Sequence, residues 1–359
     1  MKINKFVYTA FLSLGLVLTG CGNMETVNKS VEDKETITIY TTIYPLEDFT
    51  RKIGGDFVEV ISIYPPNVDA HSYEPSTKDM IAISEADFFI YTGVGVEGFA
   101  AKATEALKNE DVQMVKAAEG INLIVSSNSD KHQHEDEDGH ADHGQHKGEE
   151  GHSDSEHHEN ESEHAEEHER EHVESEDHND EHSHGDLDPH VWLDPVLSIE
   201  LANNIKNALI NKMPSQQDLF ETNFNHLKSE LEKLDQEFKT TIENSKKKSL
   251  LVSHAAYGYW EKRYGIKTIA ISGLSPTQEP TQKQLQAIII ESTEHNINYV
   301  IFEQNLSMKV ANMIQNELGA KSLTLHNLEA VTEQDIKENN DYFSIMQKNL
   351  ETIKTALND

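Results

Sequence analysis

Residues 216–244 read QQDLFETNFNHLKSELEKLDQEFKTTIEN. Phe220, Phe224, Leu227, Leu231, Leu234 and Phe238 recur there at three- and four-residue spacing, which places them on one face of an α-helix. Pro214 just ahead suits a helix start. The pattern runs for nearly 30 residues, against roughly 11–12 for an average globular helix. On either side the pattern changes to short β-branched or aromatic runs that alternate with helical ones. Strands alternating with helices predict parallel βα units. The fold class is therefore α/β: two βα lobes with parallel sheets, joined by one long rigid α-helix. A single helix is a stiff connector because bending it costs backbone hydrogen bonds.

Upstream, 36–44 (TITIYTTIY) is β-branched and aromatic and reads as a strand. Leu46–Ile53 has helical spacing, Gly54-Gly55 breaks it, and Val58–Tyr64 is a second strand. Lys78–Ala86 and Phe99–Leu107 read as helices around a third strand at Phe88–Thr92, and Pro195–Asn211 is an amphipathic helix. Downstream, strands are expected at Leu250–Ser253, Thr268–Ile271 and Tyr299–Phe302, and helices at Leu285–His295 and Met308–Leu318. The domain expectation is a first lobe over 36–213, a linking helix over 214–245 and a second lobe over 246–359.

A long insertion interrupts the first lobe. Residues 130–186 read DKHQHEDEDGHADHGQHKGEEGHSDSEHHENESEHAEEHEREHVESEDHNDEHSHGD and hold 14 of the chain's 20 histidines and 23 of its 64 acidic residues. With almost nothing apolar to bury, the run is expected to be disordered when metal-free. Imidazoles interleaved with carboxylates suit the collection of divalent transition metals. His164, His168 and His172 are four apart, as are His178 and His182, so a helical turn would bring them together in chelating pairs. Such sites would bind weakly, exchange quickly and discriminate poorly.

The first residues indicate where the chain works. Lys2 and Lys5 precede an apolar stretch, Phe6–Leu18, that is short for a membrane span. It ends in Leu18-Thr19-Gly20-Cys21, which resembles a bacterial lipobox. The expectation is a signal peptide over 1–20, acylation at Cys21 and a polar tether over 21–35, with more than one acyl chain holding the protein to a membrane. Cys21 is the only cysteine, so neither an internal disulfide nor a thiolate metal site can form. The formal net charge of −34, with no basic patch, argues against nucleic-acid binding.

Outside the insertion six histidines remain: His71, His190, His226, His254, His295 and His326. Three of them lie where a strand runs out into a loop, the region in which ligands bind to open α/β sheets. His71 sits in NVDAHSYEP (67–75), His190 in DPHVWLDP (188–195) and His254 in LLVSHAAY (250–257). Glu303, at the end of YVIFEQ (299–304), fits the same pattern. Two ligands from each lobe would set a metal in the cleft between them. His226, His295 and His326 read as structural or surface residues, and Trp192 and Trp260 as packing near the cleft.

The motifs at 67–75, 188–195 and 250–257, with SGLSPTQEP at 272–280, resemble the zinc branch (ZnuA/AdcA type) of the metal-binding lipoprotein components of bacterial ABC importers. The resemblance spans essentially the whole chain after the leader, and a histidine-rich insertion ahead of DPHVWLDP is typical of that branch. It implies extracytoplasmic capture of Zn2+ and delivery to a permease driven by an ATPase, with a lipid-anchored monomer as the working unit. Carried over by position, the ligands are His71, His190, His254 and Glu303. Four protein ligands in a closed tetrahedron suit binding rather than hydrolysis, so no enzyme is expected. The manganese branch has a carboxylate where this chain has His254, and manganese prefers oxygen. A manganese-binding member and a surface zinc buffer or adhesin without transport are the alternatives. Ligating histidines usually donate their second nitrogen to a carboxylate or carbonyl. Glu74, Asp194 and Glu279 are candidates for that role, although Asp194 equally suits capping of the helix that follows it. One departure from the family pattern is Thr92, where Asn is usual. Some relatives carry an extra C-terminal zinc-binding domain, for which this chain, ending at Asp359, is expected to have no room.

Overall fold

The computed structural model describes residues 36–126, 187–304 and 309–359. The leader, Cys21, the tether and the insertion with His164, His168, His172, His178 and His182 lie outside the described residues. In the first lobe, β1 (Ile37–Thr41) leads to α1 (Tyr44–Gly54), β2 (Val58–Ser62), α2 (Thr77–Ser84), β3 (Phe88–Tyr91), α3 (Ala100–Leu107) and β4 (Gln113–Lys116). β1 is shorter than the apolar run suggests because Pro45, with its fixed φ, occupies the first turn of α1. Gly55 ends that helix at φ 54°, a conformation glycine adopts without a Cβ clash. Ser76 and Asp79 form a reciprocal capping box at the start of α2.

Two helices follow, α4 (Pro195–Lys212) and the long α5 (Gln217–Glu243, 27 residues). At 1.5 Å per residue α5 runs for about 40 Å. Phe220, Phe224, Leu227, Leu231, Leu234, Phe238 and Ile242 are all buried, so the stripe read in the sequence is the face that packs. Each such side chain contributes roughly 1.5–3 kcal/mol on burial. That is what holds a helix of this length in place.

The second lobe contains β5 (Ser249–Val252), α6 (Gly258–Tyr264), β6 (Lys267–Ala270), α7 (Gln282–Glu294), β7 (Tyr299–Glu303), α8 (Lys309–Leu318), β8 (Lys321–Leu325), α9 (Glu333–Glu338) and α10 (Tyr342–Asn358). Both sheets are four-stranded and fully parallel, in the orders β2-β1-β3-β4 and β6-β5-β7-β8. In each, the chain path reverses direction between two central strands, β1 and β3 or β5 and β7. A crevice opens at the carboxyl ends of such a pair.

One continuous apolar core runs through both lobes, from Ile39 and Phe49 through Leu231 to Leu250 and Ile353. A smaller core lies on the other face of the second sheet, around Leu251, Ile269, Val300 and Ile314. Directed bonds also cross between the lobes. Trp192 Nε1 donates to Asn327 O (2.8 Å), Trp260 Nε1 to Leu193 O (2.6 Å) and Tyr342 Oη to Trp192 O (2.8 Å). Buried indole and phenol groups need such partners. α10 returns to the first lobe, where the ring of Tyr342 meets Phe49 edge-on at 4.9 Å.

Candidate metal centre

Each lobe supplies two side chains to one point. His71 lies in the loop between β2 and α2, and His190 in the turn just before Val191–Leu193, a single 3-10 turn that leads into α4. His254 follows β5 by two residues, at the crevice of the second sheet. The fourth side chain is Glu329, in the loop between β8 and α9. One ligand atom from each of the four lies within 4.8 Å of the other three. His71 Nε2 is 3.3 Å from His190 Nε2, His190 Nε2 is 3.4 Å from His254 Nε2, and His71 Nε2 is 3.4 Å from Glu329 Oε1. A tetrahedral ion with bonds of about 2.05 Å has neighbouring ligands about 3.3 Å apart. His190, His254 and Glu329 are buried, while the His71 side chain keeps 11% exposure.

Carboxylates fix the tautomers. Asp188 Oδ1 meets His190 Nδ1 at 2.8 Å and also accepts the His190 backbone N–H at 2.9 Å. His254 Nδ1 contacts Glu303 Oε1. An ionised carboxylate only accepts, so each Nδ1 carries the hydrogen and each Nε2 turns a lone pair inward. Close Nε2···Nε2 approaches of bare nitrogens are not hydrogen bonds. They bring together lone pairs that a cation would satisfy. Glu329 Oε2 accepts the Ala70 N–H at 3.2 Å, whereas Oε1 is buried and has no hydrogen-bond partner among the described residues. A buried acceptor left open in this way is costly unless something binds it.

The electrostatics follow from the packing. Burial pushes the His190 pKa down, and the Asp188 contact only partly offsets it. Burial acts the same way on His254, but the charge and hydrogen bond of Glu303, with help from Glu329 and Asp188, outweigh it and raise that pKa. Burial alone would raise Glu329. The facing His71, followed by His254 and His190, instead holds its carboxyl at about 2. The carboxylate of the cluster thus stays ionised.

The structure places Glu303 differently from its expected role as the fourth ligand. Its carboxylate stands behind His254 and is already occupied: Oε1 by His254 Nδ1 and by Ser253 Oγ at 2.8 Å, Oε2 by Asn327 Nδ2 at 3.1 Å. A strand-end carboxylate that points back along its own sheet meets its neighbour's imidazole rather than the cleft. Of the expected ring-holding residues, Asp194 caps α4, accepting from Val196 N (2.8 Å) and Leu197 N (3.2 Å), and pairs with Arg263. Glu74 and Glu279 are exposed. Asp188 and Glu303 take those places. Asp188 lies within the quoted DPHVWLDP motif, and its two-residue offset before His190, across Pro189, is the signal that could have identified it. It is packed closely from the second lobe: Tyr259 Oη donates to its carbonyl at 2.8 Å, and a Cβ on Gly258 would lie 2.6 Å from its Oδ2.

The remaining sequence candidates fall away from the cluster. His226 is exposed beside Glu230, and His295 is exposed at the end of α7. Thr92 gives Glu97 both its N–H (2.8 Å) and its hydroxyl, and neither residue is one of the four converging groups. Trp192 does pack against the site, its ring 5.3 Å from that of His190.

Two parallel α/β lobes bridged by a helix, with three imidazoles and a carboxylate converging between them, define a solute-binding protein for a metal ion. The family model described as "Zinc-uptake complex component A periplasmic" matches residues 39–356, and the chain belongs to that family. The high-affinity zinc uptake system protein ZnuA of Bacillus subtilis is 30% identical over 342 residues, covering 95% of this chain and 94% of that protein. The zinc-binding lipoprotein AdcA of Streptococcus pneumoniae is 33% identical over 340 residues, and this chain spans 58% of its length. The Zn(II)-bound ZnuA-like domain of the pneumococcal AdcA superposes with a TM-score of 0.66 at 29% identity, over 90% of this chain and all of that domain.

Proposed function

We propose that this protein is the extracytoplasmic component of an ABC importer, capturing Zn2+ and passing it to a membrane permease coupled to an ATPase. The observation that carries the reading is the convergence of three imidazole Nε2 atoms, two of them bare and buried, on the open oxygen of Glu329. Three nitrogens and one oxygen suit zinc better than manganese, which favours oxygen donors. His71, His190, His254 and Glu329 hold the ion, while Asp188 and Glu303 orient the two buried rings from behind. Four protein ligands would leave no open position for an activated water, which fits binding and release without chemistry.

Cys21 carries the lipid anchor, and a single chain is the working unit. The insertion over 130–186 gathers zinc in weak sites and raises the chance that it reaches the cleft. In support, Val125 and Leu187 meet in an antiparallel bridge, and Asp188 N donates to Ile124 O at 2.9 Å. The root of the insertion therefore lies beside the residue that holds His190.

Equilibrium zinc titration tests the reading. The full chain is expected to show one tight site and several weak ones, and His254→Ala to lose the tight site alone. Dividing the apparent free energy of about 10–16 kcal/mol for a four-ligand zinc site gives roughly 100-fold or more per ligand. Weak sites only in the unmodified chain would favour a surface buffer over a transport component.

A further inference from the structure

The loop that delivers Glu329 holds an unfavourable backbone. Leu328 is buried at φ 61°, in the left-handed region where a branched side chain crowds the main chain. His326, three residues before Glu329, brackets that turn. Its N–H donates to Asn349 Oδ1 and its C=O accepts from Asn349 Nδ2, both at 2.8 Å, which pins it to α10. Its ring then works in two directions. Nδ1 accepts the Leu328 N–H at 2.9 Å, and Nε2 lies 3.1 Å from Asp335 Oδ2 at the start of α9. A backbone N–H can only donate, so Nδ1 is the bare nitrogen and Nε2 carries the hydrogen given to Asp335. Asn327 Oδ1 and Glu329 O fix the chain after the turn, accepting from Glu329 N (3.1 Å) and Tyr44 N (3.0 Å). Neither of them holds Leu328.

We propose that His326 is a positioning residue of the metal centre: by accepting the Leu328 N–H on Nδ1 it sets the left-handed turn that aims Glu329 at the three histidines. The inference rests on the reading of Glu329 as a metal ligand. It gives a chemical role to a histidine that neither touches the cluster nor sits on the surface.

Three substitutions separate the two ring nitrogens. In His326→Asn the side-chain oxygen can still accept an N–H two residues on, as Asn does in tight turns, but falls short of Asp335. In His326→Gln the amide reaches toward Asp335 and leaves the Leu328 N–H without its acceptor. His326→Leu keeps volume and loses both contacts. Zinc affinity is measured on the full chain by competition with a chromophoric chelator, with metal-free thermal unfolding to show that each variant is folded. The Leu and Gln variants are expected to bind about tenfold more weakly, and the Asn variant to stay within about threefold of the unmodified chain. Equal loss in Asn and Leu, or no loss in Gln, overturns the proposal. In a Glu329→Ala background, His326→Leu is expected to add nothing, because it acts through the missing carboxylate. A further tenfold loss there overturns it too. If Glu329→Ala alone leaves affinity unchanged, the ligand reading fails and takes this inference with it. A loss in Glu329→Ala with none in His326→Leu defeats this inference alone.

Discussion

The two lobes share a strand order and a crevice, yet they fill that crevice in different ways. At the ends of β1 and β3, the buried carboxylate of Glu97 is tied to the Thr42 hydroxyl (2.7 Å) and to the N–H and hydroxyl of Thr92. At the ends of β5 and β7, the buried carboxylate of Glu303 is tied to the Ser253 hydroxyl and to the ring of His254. One carboxylate closes its crevice with hydroxyls and ends there. The other meets an imidazole whose far nitrogen faces His190, within the cluster of His71, His190 and Glu329. Corresponding crevices are thus closed by hydroxyls in one lobe and lined by an imidazole in the other. The neighbour's side chain, not the fold, decides which.

Three experiments would break or sharpen that contrast. The largest expected effect concerns the two acidic residues of the second lobe. Glu329→Gln should weaken zinc binding by about 100-fold or more, as loss of a charged ligand, and Glu303→Gln by about 10–100-fold, as loss of a ligand's partner. Chelator competition ranks them, and a greater loss in Glu303→Gln would reverse the roles assigned here.

Acidity should act next. The raised pKa of His254 means that its proton stabilises the metal-free fold below the unfolded imidazole value of about 6.5, and that this contribution fades as pH rises through the folded value. Zinc needs that nitrogen bare, so affinity should begin to fall above the ordinary imidazole value, while His190, with its depressed pKa, is still neutral. The gap in melting temperature between zinc-loaded and metal-free protein should narrow from about pH 8 to about pH 5. Glu303→Gln should move the onset of zinc loss to lower pH, and an unmoved onset would show that Glu303 does not set the His254 proton.

The smallest effect on zinc should come from the first lobe. Glu97→Gln should leave zinc affinity unchanged within about twofold while costing about 1.5–3 kcal/mol of stability in denaturant unfolding of the metal-free chain. A clear loss of zinc affinity would mean that the two crevices are not independent.

The residues that were legible in the sequence share a physical reason. The α5 stripe and the central strands are buried on a repeating pattern, so their apolar spacing is visible. His71, His190 and His254 stand at loop positions that follow strands or precede a helix. The last strand of each sheet was not legible, although the opposite edges, β2 and β6, were. β4 (QMVK) and β8 (KSLTL) are half-exposed and mix charge with apolar residues, so neither shows an apolar run. Missing β8 hid the loop that follows it, and with it Glu329. Glu303, at the end of a clear apolar strand, then became the natural choice for a fourth ligand. α10 also went unread, although it carries a stripe as regular as that of α5, through Tyr342, Ile345, Met346, Asn349, Leu350 and Ile353.

Three of the four converging side chains are sealed inside the molecule, and His71 alone keeps a little access to water. The segment that carries it is tied to the opposite lobe, with Asn67 N donating to Val331 O at 2.9 Å and Ala70 N to Glu329 Oε2 at 3.2 Å. The one partly exposed histidine of the cluster thus owes its place to main-chain donors that reach across the cleft, so the second lobe holds a residue that the first lobe supplies.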